Sequence, residues 1–564
     1  MKSIFGKLAL TLPLAAAFQG HAQQQRPNII FFLVDDFGWV ETSLPFGDEV
    51  TANNRMFHTP NMERLAARGA MLTNAYACSV STPTRTCLMT GMNSAHMGIT
   101  SFSSLYKDIV PDAIGGHPGS TNENLGDIFA HPEWNYNCLC PAHLESEKDL
   151  YGLHHTLYAT PLPQLLRDSG YHTIHVGKAH WAPAGTPGSN PYNMGFVVNI
   201  AGAQNGHPKS YQPEDNFGNL PGQGDYGSVM NMSQYYGSGV HLTEAITREA
   251  LRTLDHPLRQ GIPFFLYFAH YTNHTPIQRD DRFYQRYIDE GLDEGQAKYA
   301  SMVEGMDKSL GDVLDFIDGR GIADNTVIIF YSDNGPHSVG GEKGGELHTQ
   351  ALPLREGKGS VYEGGIRVPM MVCWPGHVAA GTRLNTPVNT PDFFPTFLEL
   401  AGVTDPQTVQ TVDGESMVKL FTDGSQYVAR AAEAGKIRDR KDANAFRIPE
   451  SVSGLADDRG LIFHYPHQLR YEDQDDIDFL SALRRGDWKL VYRMHTGELE
   501  LYNLRDDIGE HSNVAAGNRE LTRSMASELS DRLRHWNAPM PTVRATGKPV
   551  PMPDETDAFA ALKK

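Results

Sequence analysis

Two apolar runs in this chain end in adjacent oxygen-bearing side chains: Asn28–Val34 leads into Asp35-Asp36, and residues 326–331 lead through Ser332 into Asp333-Asn334. Continuous apolar runs of this length read as strands buried on both faces, which places each pair at a strand end. Neighbouring carboxylates repel unless a cation or solvent compensates them. Three carboxylates with one carboxamide oxygen make a hard-oxygen site suited to calcium, with magnesium as the alternative. A third segment, Ser81-Thr82-Pro83-Thr84-Arg85 continuing through Thr86 to Thr90-Gly91, reads as the first turns of a helix. Pro83 suits a helix start, and the backbone N–H groups at that end would face an anion. A single Asp-Asp pair would read as a loop cap; two such pairs beside this helix point instead to a site.

The elements that must position these residues follow the same pattern. A third apolar run, 263–268, is followed by His270 and His274, and helical periodicity covers 61–68 and 297–317. Strands alternating with helices predict an α/β fold, a large mainly parallel sheet flanked by helices on both faces. Ligands of such sheets sit beyond the carboxyl ends of the strands. The Gly/Pro/Asn-rich stretches 183–199 and 202–239 read as long surface loops. From Gly424 the texture changes to a charged helix-like stretch, 428–447, then strand candidates Leu461–Tyr465, Trp488–Arg493 and Glu498–Asn503 with a turn near Thr496-Gly497, and an amphipathic helix over 521–536. The expected division is a signal peptide at 1–22, a catalytic α/β domain at 23–440 and a smaller C-terminal α+β subdomain at 441–564. No internal repeat is visible.

The 564 residues, 40% hydrophobic and 20% charged, suit a globular protein with a substantial core. Lys2 and Lys7 precede an apolar run over 8–18 and then Gly20-His21-Ala22, the plan of a cleavable secretory signal. That run is too short to span a bilayer and no other is long enough, so the expectation is an exported protein without a membrane span, periplasmic or secreted. Five cysteines, Cys78, Cys87, Cys138, Cys140 and Cys373, are too few for a disulfide framework, and the odd count leaves a free thiol. The net charge of −19 argues against nucleic acid and against a long basic groove for polyanions. An anionic substrate must therefore be held in a local pocket.

The segment Ser81 to Gly91 resembles the signature of the type I sulfatases, enzymes of the alkaline phosphatase superfamily in which a Cys or Ser is oxidised to formylglycine. Gly177-Lys178-Ala179-His180-Trp181 is similar to the family's Gly-Lys-x-His block, Asn273-His274-Thr275-Pro276 to its histidine loop, and the stretch from Gly357-Lys358-Gly359 to Arg367-Val368-Pro369 to its lysine block. Trp374-Pro375-Gly376, Thr390-Pro391-Asp392, Asp413-Gly414-Glu415-Ser416, Arg485-Gly486-Asp487-Trp488-Lys489-Leu490 and Leu501-Tyr502-Asn503-Leu504 extend the likeness over nearly the whole mature chain, and to secreted bacterial carbohydrate sulfatases in particular.

The resemblance implies roles residue by residue. Asp35, Asp36, Asp333 and Asn334 would ligate one Ca²⁺, which would also meet the formylglycine at position 81. Arg85 would hold the formylglycine, Lys178, Lys358 and His274 would surround the sulfate or the leaving oxygen, and His180 would deprotonate the hydrate to expel sulfate. A serine that attacked sulfur would stay sulfated until a slow second hydrolysis, whereas one hydroxyl of an aldehyde hydrate can attack and the other can drive sulfate out. Position 81 is Ser rather than the commoner Cys. Among relatives, the serine form is oxidised by an anaerobic radical maturase, so a sulfatase-maturing enzyme, the export machinery and a sulfated glycan are the expected partners, in an anaerobic Gram-negative cell. His337, His464 and His467 are candidates for substrate binding, with buried polar groups at a domain interface as the other reading of His464 and His467, and Trp39 and Trp181 either stack on a sugar face or fill core. The rival readings are a phosphoester hydrolase of the same superfamily, which would favour two zinc ions and His/Asp ligand clusters, and a catalytically silent glycan-binding protein.

Overall fold

The structure, a computed structural model, describes residues 26–102, 128–129, 138–147, 156–224, 226–338, 341–346, 349–467 and 478–562; the signal peptide expected at 1–22 lies outside them. The strands of the large sheet are β1 (Asn28–Val34), β2 (Ala70–Tyr76), β3 (His172–Gly177), β4 (Val198–Ile200), β5 (Phe264–Ala269), β6 (Thr326–Ser332), β7 (Arg367–Cys373), β8 (Thr382–Leu384) and β9 (Val388–Asn389). They lie in the order β8-β2-β7-β6-β1-β5-β3-β4, with β9 paired to the far end of β2. Pairing is parallel from β6 through β4. Strand β7 is antiparallel to both β6 and β2, so β2 runs with β6 and β7 alone is reversed.

Burial on both faces follows from the apolar runs. In β1, Ile29, Phe31 and Leu33 enter the core under α2 (Ser81–Thr90) and α5 (Phe393–Leu400). Ile30, Phe32 and Val34 enter the opposite core, under α1 (Pro60–Arg68), α3 (Leu242–Thr253) and α4 (Glu294–Gly319). The alternation of side chains along a strand delivers one set to each face. Helix α4 starts earlier than its apolar periodicity because Asp293 caps it, accepting a hydrogen bond from the Gln296 N–H.

Two stretches differ from the sequence-based expectation. The charged run 428–447 is two helices, Ser425–Glu433 and Arg440–Ala445. Gly435, at φ +70°, turns the chain after the first helix, and Asp439 caps the second. The second departure is β4, an edge strand three residues long that takes the last two residues of the stretch 183–199 expected to be loop.

The C-terminal part is a four-stranded antiparallel sheet in sequential order, β10 (Leu461–Tyr465), β11 (Leu480–Arg485), β12 (Trp488–Arg493) and β13 (Glu498–Asn503). Helix α6 (Arg519–His535) covers one face through Met525, Leu529 and Leu533. The other face, with Leu461, Phe463, Tyr465 and Val491, packs on Tyr76, Val80, Val361 and Tyr362 of the large domain. At that seam Lys489 is fully buried, its Nζ 2.9 Å from Glu363 and 2.9 Å from Glu510. Despite burial, the Lys489 and Arg367 cations hold the Glu363 carboxyl down at about 2, while burial pushes Glu510 up to about 7. Lys489→Met removes the cation from between two buried carboxylates. Unfolding in urea should show a loss of about 3–5 kcal/mol; a change below about 1 kcal/mol would mean the seam holds without the charge.

Candidate active site

Topology brings the chemistry-bearing segments to one edge. The parallel strands β6, β1, β5 and β3 are consecutive neighbours, so Asp333-Asn334, Asp35-Asp36, His274 and Lys178 with His180 all follow the same carboxyl edge. Strand β2 runs with them and delivers Ser81 to this edge. Reversed β7 begins there, which brings in Lys358 from the segment before it. The segments are cross-tied through main chain: Asp35 N–H donates to the Thr272 carbonyl at 2.9 Å, and Asp333 N–H to that of Val34 at 3.1 Å. Gly335 donates to the Gly365 carbonyl at 2.8 Å. A Cβ on Gly335 would lie 1.8 Å from the Gly364 carbonyl oxygen, so only glycine allows this approach.

Ser81 is the first residue of α2, which is buried along its entire length. Thr84 fixes that end, donating to the Asp333 carbonyl at 2.6 Å and accepting the Cys78 N–H at 2.9 Å. Ser81 Oγ lies 3.3 Å from His180 Nδ1. Asp36 and His180 have positive φ, +52° and +57°, although neither is glycine. Strained backbone of this kind persists only where surrounding structure enforces it, and it clusters at functional sites.

Acid and base side chains interlock here. Arg85, fully buried, places Nη2 2.8 Å from Asp333 and donates from Nη1 to the Lys178 carbonyl at 2.9 Å. Lys178 Nζ is 2.7 Å from Asp35, and Lys358 Nζ is 2.7 Å from Asp36 and 3.1 Å from His274 Nε2. Burial, reinforced by Asp333, drives the Asp35 carboxyl well above its usual range. Asp36 is also desolvated, but Lys358 and His274 overcome that and hold it well below. Burial and then Lys358 depress His274, while burial lowers Lys178 against the pull of Asp35. Arg85, Lys178 and Lys358 are thus matched one to one with Asp333, Asp35 and Asp36.

The donor set fits a hard divalent cation. Asp35, Asp36 and Asp333 form the one cluster among the described residues whose ligand oxygens lie within 4.8 Å of one another. Asn334 donates from Nδ2 to Asp36 at 2.7 Å, yet its buried Oδ1 has no hydrogen-bond partner. An orphaned carbonyl oxygen beside three carboxylates is what an oxygen-ligated cation would satisfy.

The other candidates separate. His337 is buried near enough for Lys358 and Asp36 to act on it; burial first, then Lys358, lowers it to about 4, so it stands as a neutral imidazole at the cluster's edge. His464 is not brought to the site. It shares its strand face with Ile462, on the side covered by α6, and its cross-strand partner is Ser481. Its Nε2–H donates to the Pro539 carbonyl at 2.7 Å, which leaves Nδ1 to accept from the Ser481 hydroxyl at 2.6 Å. His467 pairs with the Thr100 hydroxyl at 2.8 Å rather than with the acidic cluster. Trp181 and Trp39 are core, the first stacked on Phe196 and the second beside Phe46. Sequence reading missed Tyr211, whose hydroxyl hydrogen is shared between the Tyr271 and His274 carbonyls at 2.6 and 2.9 Å and so steadies the histidine loop. It also missed Thr84, although a threonine in the first turn of a helix was a visible sign of a local tie.

A mainly parallel sheet with this cluster of cations and carboxylates at its carboxyl edge defines a hydrolase of the alkaline phosphatase type. The sulfatase family profile matches residues 27–148 and 141–403, so the chain belongs to the sulfatase family, whose members are sulfuric ester hydrolases. Among similar proteins are a sulfatase of Formosa agariphila, 29% identical over 98% of this chain and 96% of that protein, and the human N-acetylgalactosamine-6-sulfatase, 29% identical over 71% of this chain and 66% of that one. Among solved structures, Ps i-CgsB in complex with k-i-k-neocarrahexaose matches at 26% identity with a TM-score of 0.61, covering 90% of this chain and 93% of that one.

Proposed function

We propose that the protein is an exported, calcium-dependent sulfatase that hydrolyses O-sulfate esters of a carbohydrate, a glycosaminoglycan, mucin or algal glycan, acting at chain ends through formylglycine formed from Ser81. The observation that carries this reading is Ser81 at the start of a buried helix, 3.3 Å from His180, beside a cluster of three cations and three carboxylates. The carbohydrate class is supported by what the N-acetylgalactosamine-6-sulfatase is named for and by the oligosaccharide bound to Ps i-CgsB.

Formylglycine, once formed by an anaerobic maturase, supplies an aldehyde hydrate in place of a simple hydroxyl. The chain's own residues do the rest. Asp35, Asp36, Asp333 and Asn334 would hold calcium, which adds positive charge facing the ester. Arg85, pinned by Asp333, orients position 81. Lys178 and Lys358 neutralise charge on the equatorial oxygens as sulfur changes partners. His274, hydrogen-bonded to Lys358, stands beside the leaving oxygen, and His180 takes the proton whose loss ejects sulfate. His337 borders the same pocket as a neutral group.

The net charge of −19 favours short substrates, because a sulfated polymer laid along the protein would be repelled over its length whereas a terminal sulfated residue need only enter the local pocket. Two measurements on protein co-produced with a maturase test the proposal. The tryptic peptide containing position 81 should be lighter by a pair of hydrogens, and a terminally sulfated trisaccharide should lose sulfate much faster than its parent polysaccharide. Unmodified serine in active protein would remove the mechanism; equal rates per accessible sulfate would replace the exo pocket with an open cleft.

A further inference from the structure

The buried part of the site ends at two side chains. Asp35, Arg85, Lys178 and Asp333 have no exposed side-chain surface, whereas Lys358 and His274 keep 11% and 17%. An ester entering the pocket therefore passes Lys358 and His274, and the group that carries it must rest on whatever borders them. That border is built by the loop after β4. Gly206 lies against the His180 ring so closely that a Cβ there would sit 2.8 Å from Cε1. The next residue, His207, stacks on His274 with ring centroids 5.4 Å apart and planes 12° apart. Against His207, edge-on at 5.4 Å, stands Tyr226, whose residue surface is 51% exposed.

This placement is fixed by hydrogen bonds to main-chain carbonyls. Lys209 N–H donates to the Gly227 carbonyl at 2.7 Å, and Asn205 Nδ2 to that of Ser228 at 2.6 Å, so the arm carrying His207 and the arm carrying Tyr226 are held side by side. Ser228 donates in turn to the Gly218 carbonyl at 2.7 Å, which closes the loop on itself. A tethered aromatic ring left half in solvent next to a charged pocket has the form of a sugar platform: an apolar face for the C–H side of a pyranose, with polar groups nearby for its hydroxyls.

We infer that Tyr226 is the stacking platform for the sugar ring that bears the scissile sulfate, held beside the pocket mouth by His207. This deepens the sulfatase reading and rests on it. Sugar recognition on this account is separate from sulfate recognition, since Tyr226 touches the carrier while Lys178, Lys358 and His274 touch the anion.

The test compares unaltered protein, Tyr226→Ala and Tyr226→Phe on N-acetylgalactosamine 6-sulfate and on a carrageenan hexasaccharide, with inorganic sulfate as a competitive inhibitor. Tyr226→Ala should raise KM for the sugar turned over by about tenfold, a stacking contribution near 1.4 kcal/mol, and leave the inhibition constant of sulfate unchanged. Tyr226→Phe should keep the unaltered KM. Unchanged KM in Tyr226→Ala, a parallel weakening of sulfate inhibition, or loss in Tyr226→Phe equal to that in the alanine variant would each overturn the platform while leaving the sulfatase reading intact. Should the unaltered protein release sulfate from neither sugar, binding of the same sugars read by calorimetry decides the platform. Loss of heat in Tyr226→Ala then upholds it, and equal or absent heat overturns it.

Discussion

Ser81→Ala is expected to abolish sulfate release, by at least about 10⁴-fold in kcat, while leaving the fold intact. The residue occupies the first turn of a buried helix, where its hydroxyl makes a side-chain hydrogen bond to His180 at 3.3 Å and alanine removes no more than that one oxygen. Losing that contact costs about 1 kcal/mol, which a domain of this size tolerates. Calorimetric melting of the variant should fall within a few degrees of the unaltered protein. Ser81→Cys separates chemistry from maturation: it should stay active in a host whose maturase oxidises both residues, and fall silent where only serine is accepted. Unaltered turnover by Ser81→Ala would end the formylglycine mechanism, and with it the reason for His180 to stand where it does. A silent glycan-binding protein makes the opposite forecast, since it would carry unmodified serine and lose nothing on substitution.

The strands that matter most were legible because they are buried on both faces and end abruptly in polar pairs. Asn28–Val34 and Thr326–Ser332 show this, and pairing them through β1 and β6 puts Asp36 N–H 3.2 Å from Asp333 Oδ1. Lys178 and Lys358 carry no periodic signal of their own, and a lysine taken alone reads as surface. What identified them was the motif around each. The structure adds the reason for the spacing: Lys178 leaves β3 beside the end of β5 and its side chain reaches past that strand to Asp35 at the end of β1, while Lys358 is carried in by glycine-rich chain preceding the one reversed strand. Strand β11 was missed because Leu480–Arg485 ends in arginines and lacks an apolar run, its pairing supplied by β10 and β12 on either side.

His464 shows a reading that the sequence could have corrected. Within Leu461–Tyr465, alternation puts Leu461, Phe463 and Tyr465 on one face and Ile462 with His464 on the other. The first set is the more apolar and turns to the large domain, so His464 had to face α6. Tyr226 and His207 lay beyond such reasoning. They are nineteen positions apart in a stretch with no periodicity, and ties such as those from Lys209 to Gly227 and from Asn205 to Ser228 bring them together. Specificity determinants on loops of this kind are set by tertiary contacts that local pattern does not encode.

Removing calcium is expected to cost nearly as much as removing Ser81. In the buried cluster, Lys178 and Lys358 are engaged by Asp35 and Asp36, and Arg85 by Asp333, so each cationic side chain already has a carboxyl partner. A sulfate ester meeting so balanced a cluster would gain little, whereas a dication held by Asp35, Asp36, Asp333 and Asn334 would add positive charge to the site and free the lysines for the substrate. Dialysis against a calcium-selective chelator should lower kcat/KM by at least about 10³-fold, a loss of about 4 kcal/mol, with recovery on adding calcium and none on adding zinc. Asp333→Asn should bind less calcium per chain by elemental analysis and show a smaller calcium-dependent rise in melting temperature, the linkage signature of a weakened site. That variant also leaves Arg85 buried with one charge fewer beside it, so some stability is lost in either case; the chelator experiment on unaltered protein separates the two effects. Full activity after chelation, with no metal by elemental analysis, would show that Arg85, Lys178 and Lys358 suffice. Two zinc ions per chain would move the protein to the phosphoester hydrolases, where a buried Asn334 carbonyl without a hydrogen bond would need another explanation.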